Sequence, residues 1–171
     1  MIDNVRILGI DPGSLYTGYG IVDSQGGDLK HVASGCIHTN GGNFTRRLQE
    51  IFYGVGALLE EFQPRELVVE KAFVHRNADS ALKLGQARAA AICASLPHAL
   101  PVHEYTPREI KQALTGRGGA SKIQVQHMVK ILLRLQGVMQ ADSADALAAA
   151  ICHAHSRGMR LRLAAGQSAQ R

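Results

Sequence analysis

The sequence predicts an α/β fold, with one mixed five-stranded sheet and helices on both of its faces. Three β-prone runs precede the first helical segment, which is typical of a sheet that begins with hairpin pairing. Strands and helices then alternate, and such crossovers favour parallel pairing within the same sheet. No linker or internal repeat interrupts the 171 residues, so the order βββαβαβααα predicts one domain.

The first strand carries the first candidate site residue. The run Val5–Ile10 is apolar and ends at Asp11, and Pro12-Gly13 directly after it forces a turn. A second β-prone run, Tyr16–Asp23, returns at once, and Leu29–Thr39 predicts a third strand. Because Asp before Pro-Gly is common in tight turns, a plain turn-forming role for Asp11 stands beside a functional one.

The next segment predicts a helix followed by a buried strand. Gln63-Pro64-Arg65 ends the helix, and Glu66–Glu70 is an apolar run bounded by acids. Because a helix crosses over between them, this strand is predicted to lie parallel to the first, in the centre of the sheet. The helix itself, Asn43–Phe62, is indicated by apolar residues at helical spacing: Phe44, Leu48, Ile51, Phe52, Val55, Leu58, Leu59 and Phe62.

The second half of the chain predicts a helix over Asn77–Leu96, a strand over Val102–Tyr105 and three further helices. Two of these helices begin at capping boxes, Thr106–Glu109 and Ser121–Gln124. The last helix is predicted from Ala141 to about Ser156, with a core stripe of Ala144, Leu147, Ala148 and Ile151. Because the sequence loses its periodicity afterwards, residues 1–156 are predicted to form the single domain and residues 157–171 a flexible basic tail.

Composition limits the classes of protein that fit. The 46% hydrophobic content is enough for a real core, and no stretch approaches the length of a membrane-spanning helix. Since Met1–Asn4 also lacks the features of a signal peptide, we expect a cytoplasmic protein without membrane contact. The three cysteines are widely spaced, which predicts reduced core thiols. A net charge of +5 and a pI of about 9.4 suit a polyanionic partner such as nucleic acid.

Two carboxylates end apolar segments, unlike the other acids of the chain. Asp11 ends the first strand and Glu70 ends the fourth. If those strands are parallel neighbours, both side chains emerge at the same edge of the sheet, where open α/β sheets bind ligands. Glu104 also ends a strand, but its neighbours are typical of an ordinary strand terminus.

Two more carboxylates lie at the start of the last helix. Asp142 and Asp145 are three residues apart, so they share one side of that helix. The apolar pattern of the helix does not predict that they are buried, because they lie away from the centre of the core stripe. Interaction with the helix dipole is an alternative explanation without a function, and it has real weight for Asp142 and less for Asp145, which lies a turn further in.

Four carboxylates that converge without nearby Lys or Arg repel one another, and hard divalent cations relieve that repulsion. Oxygen-only ligands favour magnesium or manganese over zinc. Two such ions close together can activate a water and stabilise the leaving oxygen of a phosphodiester. The four acids are therefore typical of metal-dependent phosphodiester hydrolysis, on the condition that the fold brings them together.

Several segments together resemble the RuvC family of bacterial Holliday-junction resolvases, over residues 5–155. The run Asn77–Arg88 and the Asp-x-x-Asp-Ala-Leu-Ala motif that begins at Asp142 are the most specific. The opening motif is less specific, because actin-like kinases begin similarly. The other matching segments are Leu8–Ser14, Thr17–Gly20, Glu70–Phe73, Gly116–Val125 and Ala141–His155.

The resemblance implies a ribonuclease H-like fold and a homodimer that nicks two symmetric strands of a four-way DNA junction in recombination and repair. It implies product ends with 5′-phosphate and 3′-hydroxyl groups. It also implies two Mg²⁺ ions in each active site, with Mn²⁺ as a substitute, and the branch-migration proteins RuvA and RuvB as partners.

The same resemblance assigns roles to particular residues. Phe73 matches an aromatic that stacks on a base near the crossover, and Lys111 and Lys122 match lysines near the DNA and the scissile phosphate. Without the resemblance, Phe73 fits a core position equally well and Lys111 fits a solvated helix face. Lys122 follows a glycine-rich loop and begins a helix, which suits a phosphate. The residues that the resemblance makes metal-binding and catalytic are Asp11, Glu70, Asp142 and Asp145.

Three other classes share parts of this pattern. An actin-like phosphotransferase shares the hairpin from Asp11 to Gly20, but it needs a second domain for which this chain has no room. A non-catalytic nucleic-acid-binding module explains the positive charge but leaves the four acids without a role, because carboxylates repel a phosphate backbone. A ribonuclease H-like nuclease with another substrate is distinguished only by the family-specific segments.

Overall fold

The computed structural model describes residues 4–71 and 77–168, and the order of its strands and helices is the predicted one. The strands are β1 (Asn4–Asp11), β2 (Tyr16–Gln25), β3 (Asp28–His38), β4 (Glu66–Glu70) and β5 (Val102–Tyr105). The helices are α1 (Phe44–Phe62), α2 (Ala78–Cys93), α3 (Pro107–Thr115), α4 (Lys122–Leu133) and α5 (Ala141–Ser168), with a short 3-10 helix at Leu96–His98. Within these ranges, none of the helices combines the length and apolar character that crossing a bilayer requires.

The strands form one mixed sheet in the order β3-β2-β1-β4-β5, which confirms the predicted fold class. β1 pairs antiparallel with β2 and parallel with β4. The parallel register places Ile10 beside Val69, so the next residue of each strand leaves the sheet at the same edge. The topology therefore brings the ends of two neighbouring strands together, as the sequence predicted.

Alternate residues of the strands pack into two cores, one on each face of the sheet. Leu8 and Ile10 point towards α1 and α2, whereas Ile7 points towards α3, α4 and α5. Both predicted capping boxes are present at the starts of α3 and α4, where each cap side chain accepts a hydrogen bond from the backbone of the third helical residue. Helices on both faces were predicted, and the caps fix where two of them begin.

The start of α5 lies directly against the sheet because two strand glycines leave room for its backbone. A Cβ atom added at Gly9 would lie 2.1 Å from the carbonyl oxygen of Ala146, and one at Gly18 would lie 2.1 Å from that of Asp142. The predicted core stripe of α5 was too narrow, because the helix is enclosed between the sheet and α3 and α4. Over residues 141–161, its buried residues are Ser143, Ala144, Ala146, Leu147, Ala148, Ala149, Ala150, Ile151, Cys152, His153 and Ala154.

The predicted end of the last helix near Ser156 is wrong, because α5 continues to Ser168. The added turns are rich in Arg, Leu, Met and Ala, which favour a helix once one has been nucleated. Arg157, the first residue of the predicted tail, donates from Nε to Oε1 of Glu66 at 3.0 Å. The tail thus begins with a residue anchored to β4, while the division into a domain and a tail stays a prediction.

The three cysteines are free thiols, as predicted, but they do not share one environment. Cys152 is buried and Cys36 is half-buried, whereas Cys93 is exposed. The prediction of a core position is wrong for Cys93 because it is the last residue of α2, beyond the buried residues Ala87 and Ala91 of that helix.

Candidate active site

Asp11 and Glu70 are the last residues of β1 and β4, and each has a half-buried side chain. Since Ile10 pairs with Val69 in the parallel register, the two acids follow a matched pair and leave the same edge of the sheet. Strand topology alone therefore brings these two carboxylates together.

The turn after β1 does not depend on the Asp11 side chain. The Thr17 hydroxyl donates to the carbonyl oxygen of Gly13 at 2.8 Å and accepts from its backbone N–H at 3.4 Å. Among the described residues, the Asp11 carboxylate makes no hydrogen bond to this turn. The turn-forming explanation of Asp11 therefore loses its support, and the carboxylate is available to the cleft described next.

A cleft of about 180 Å³ lies beside this edge of the sheet. Three of the four predicted acids line it: Asp11, Glu70 and Asp145. Two basic side chains from neighbouring helices, Lys111 and Lys122, complete its polar wall. The apolar part of the wall is formed by Pro107, Ile110, Val125 and Ala148.

Asp142 lies at the border of this group. It lines a neighbouring depression with Tyr16, Cys36 and His38, where the rings of Tyr16 and His38 stack at 4.7 Å. Its negative charge nevertheless acts on Asp11 and raises the pKa of that carboxyl. The structure thus brings all four acids into one electrostatic group, with Asp142 on its outer side.

Lys122 makes a direct contact with one of the acids, contrary to the assumption that the four acids lack a basic neighbour. Its Nζ atom donates to Oδ2 of Asp145 at 2.9 Å. The lysine side chain is 72% exposed and the aspartate 15%, so the ammonium group reaches over the cleft from the solvent side. The sequence could not predict this contact, because it depends on how α4 packs against α5.

The charges of the cleft are most strongly coupled at Asp11. Burial raises its pKa to about 7, with further contributions from Glu70, Asp145 and Asp142, while Lys122 opposes the shift. Burial and Asp145 likewise raise the pKa of Glu70, against Lys122 and Lys111. Burial and mutual repulsion thus both disfavour the charged carboxylates, and Lys122 and Lys111 only partly offset this; a bound cation would favour the charged forms.

The other residues singled out in the sequence differ in whether they belong to the cleft. Phe73 lies outside the described residues. Lys111, whose alternative was a solvated helix face, lines the cleft instead. Glu104 forms an ion pair with Arg88 of α2, so it belongs to the packing of β5 rather than to the cleft.

One group of polar residues was missed by the sequence analysis. Among residues 4–71 and 77–168, Glu66, His103 and His153 have possible metal-ligand atoms that all lie within 4.8 Å of one another. The sequence signal that could have found this group is the alternation of side chains along a strand. Val68 pairs with His103, and Glu66 lies two residues before Val68, so Glu66 and His103 are on the same face of the sheet. His153 comes from α5, which covers that face.

The sheet order and the acids at the carboxyl ends of two parallel strands, facing a helix with two more acids, define a ribonuclease H-like α/β protein with an acidic cleft. The family model described as crossover junction endodeoxyribonuclease RuvC matches residues 7–153. The chain belongs to the RuvC family.

Named relatives and a solved structure agree with this membership. The crossover junction endodeoxyribonuclease RuvC of Methylococcus capsulatus is 57% identical over 152 residues, which cover 89% of this chain and 92% of the relative. The protein of the same name from Alkalilimnicola ehrlichii is 56% identical over 158 residues, covering 92% and 96%. Thermus thermophilus RuvC in complex with a Holliday junction substrate superposes with a TM-score of 0.85 at 33% identity, covering 91% of this chain and 96% of that one.

Proposed function

We propose that this chain is a structure-selective endonuclease that resolves Holliday junctions by nicking two strands symmetrically, in homologous recombination and DNA repair. The observation that carries the proposal is one cleft that joins Asp11, Glu70 and Asp145 to Lys111 and Lys122, in a chain that matches the RuvC model over residues 7–153. The family match favours this function over an actin-like phosphotransferase or a binding module.

The donor set of the cleft fits hard divalent cations. Asp11, Glu70, Asp142 and Asp145 offer only oxygen ligands, and burial together with neighbouring carboxylates raises the pKa values of Asp11 and Glu70. These four residues would hold two Mg²⁺ ions, with Mn²⁺ as a substitute. When bound, such ions supply Lewis-acid stabilisation of the charge that develops around a phosphodiester under attack.

The basic side chains orient the phosphate. Lys122 is the first residue of α4 and follows the loop Gly116–Gly119, so its ammonium group and the helix N-terminus offer donors to a phosphate oxygen. Lys111 adds a second positive charge on the adjacent wall. Attack of water on phosphorus with departure of the 3′ oxygen leaves a 5′-phosphate and a 3′-hydroxyl, which a ligase can rejoin.

Two symmetric nicks require two copies of the cleft, so we propose that the active form is a homodimer. Leu82 of α2 is 65% exposed, which makes that helix a candidate contact surface. Stacking of Phe73 on a base, contact with RuvA and RuvB and a cytoplasmic location stay predictions.

The first test is cleavage of a synthetic four-way junction beside a linear duplex of the same sequence, with and without Mg²⁺. We expect paired nicks in the junction only, and only with the metal. Asp145→Asn should lower the cleavage rate by about 100-fold or more, as expected when one group of a preorganised electrostatic site is removed. Junction affinity should stay within about threefold, because removing a negative charge does not weaken phosphate contacts.

Asp28→Asn is the matched control, because it makes the same chemical change at an exposed residue of β3. It should cleave at the wild-type rate. Equal cutting of junction and duplex would keep the metal site but remove junction selectivity. Binding without cleavage by the wild type, in either Mg²⁺ or Mn²⁺, would replace the nuclease with a binding module.

A further inference from the structure

The group Glu66, His103 and His153 lies at the far end of the sheet from the acidic cleft. Glu66 begins β4 and Glu70 ends it, so the two carboxylates are separated by about 13 Å along the strand. On α5, His153 follows Asp145 by eight residues, which corresponds to about 12 Å. The two separations agree, and they place this group outside the proposed reaction site.

The three side chains come from three different elements and converge on one point. His153 Nε2 is hydrogen-bonded to Oε2 of Glu66, and His103 Nε2 lies 3.6 Å from the same oxygen. Two ligands of one tetrahedral zinc ion are about 3.3 Å apart, since each lies about 2.0 Å from the metal. All three ligand atoms lie within 4.8 Å of one another, and the rings of His103 and His153 stack with centroids 4.1 Å apart, so one ion between them would require the two rings to rotate towards it.

The surroundings hold the ligand atoms in the required orientation and protonation state. His153 Nδ1 is 2.8 Å from the Tyr105 hydroxyl oxygen, to which it can donate its proton, leaving Nε2 free as a ligand. Arg157 Nε donates to Oε1 of Glu66 at 3.0 Å, so Oε2 remains directed at the two histidines.

Access and burial also suit a bound ion. The His153 side chain is fully buried and that of Glu66 is 15% exposed, whereas His103 is 32% exposed and borders solvent. A cation can therefore enter past His103, and a water can fill the fourth position of a tetrahedral site.

We propose that Glu66, His103 and His153 form a binding site for one zinc-type transition-metal ion, which ties β4, β5 and α5 together. Two imidazoles and one carboxylate select zinc and its neighbours over magnesium, unlike the oxygen-only cleft. In the zinc-bound state the one proton of the neutral His153 imidazole would lie on Nδ1, facing the Tyr105 hydroxyl, and Nε2 would face the ion in place of its hydrogen bond to Glu66. The inference does not depend on the nuclease assignment.

The test is zinc binding to the full-length protein in millimolar Mg²⁺, measured by competition with a chromogenic chelator. We expect one Zn²⁺ per chain and an affinity that Asp145→Asn leaves within about threefold. His103→Gln should weaken zinc binding by at least about 10-fold, because altering even a residue that hydrogen-bonds to a metal ligand typically lowers metal affinity by that much. His103 is on an edge strand and partly exposed, so this variant is the one expected to fold.

His127→Gln is the matched control, because it removes an exposed histidine of α4 outside the group. Cobalt substitution supplies a second readout, since thiolate ligands give an intense near-ultraviolet charge-transfer band that nitrogen and oxygen ligands lack. Absence of stoichiometric zinc, equal affinity in wild type and His103→Gln, loss of binding in Asp145→Asn instead, or a thiolate band would each overturn the proposal.

Discussion

Burial and three neighbouring carboxylates raise the pKa of Asp11 to about 7, although Lys122 opposes the shift. An aspartate in an unfolded chain titrates near 3.8. The folded, metal-free protein therefore binds this proton more tightly than the unfolded chain does. Its stability must fall as the pH rises from about 4 through about 7, and the loss is complete above that range.

Asp11→Asn should remove this pH dependence, because asparagine does not titrate. In the metal-free protein, the melting temperature of the wild type should fall between pH 5 and pH 8 relative to that of the variant. In a chain of this length, each kcal/mol lost from the free energy of unfolding lowers the melting temperature by about 2–4 °C. Thermal unfolding followed by circular dichroism in the presence of a chelator checks this.

Added Mg²⁺ provides the internal control for the Asp11 prediction. Its stabilising effect on the wild type should be larger at pH 8 than at pH 6, because protons compete for the same carboxylate. Parallel pH profiles for wild type and Asp11→Asn would contradict the assignment of the titrating group.

At the scale of the elements, α5 contributes to two separate groups, the acidic group and the proposed metal site. Its first turns supply Asp142 and Asp145, and its middle supplies His153. Gly18 on β2 permits this, because any side chain there would meet the carbonyl of Asp142. A close approach of backbone to backbone thus sets the distance between the helix acids and the strand acids.

Gly18→Ala should therefore disturb both packing and chemistry. A Cβ atom 2.1 Å from the Asp142 carbonyl oxygen forces the start of α5 away from the sheet. We expect a loss of about 1–3 kcal/mol in the free energy of unfolding, as for other overpacked sites, measured by urea denaturation. Junction cleavage should fall at least about 10-fold, because small displacements of positioned groups cost that much or more.

Gly42→Ala is the control, since a Cβ atom there meets nothing within 4 Å. It should change the free energy of unfolding by less than about 0.5 kcal/mol, as is usual for surface substitutions. If Gly18→Ala matched this control in both stability and cleavage, the close approach would not be what fixes α5.

Local signals in the sequence predicted the elements well, and contacts between elements poorly. Asp11 and Glu70 could be placed at one edge because the crossover rule fixes neighbouring parallel strands. The contact between Lys122 and Asp145 was not predictable, since their separation depends on side-chain reach between two packed helices. The extension of α5 was missed because a loss of amphipathic periodicity was taken for a loss of helix, although helix propensity continued.

At the scale of the whole molecule, the one acidic cleft formed by residues 4–71 and 77–168 fits one nick per chain. If the active form is a homodimer, a mixture of wild-type and Asp145→Asn protomers contains dimers with a single working cleft. Such dimers should convert junctions to singly nicked products, while wild-type dimers give fully resolved duplexes. Denaturing and native gels of the same reactions separate the two products.

The matched control for the mixing experiment is wild type combined with Asp28→Asn, which should yield only resolved duplexes. Sedimentation of the purified protein gives the oligomeric state independently. A monomer in sedimentation, together with no singly nicked excess in the wild-type and Asp145→Asn mixture, would remove the homodimer from the proposal.

The strands that end in Asp11 and Glu70 are both interior strands, each hydrogen-bonded to a neighbour on either side. Interior strands between two cores open only when the whole domain opens, whereas edges and helix ends fray at little cost. Partial unfolding at β3 or at the end of α5 therefore leaves these two acids assembled. A damaged or strained molecule is therefore expected to keep this pair of acids together until the domain unfolds completely, so the strand half of the cleft and the global fold are lost in a single cooperative step.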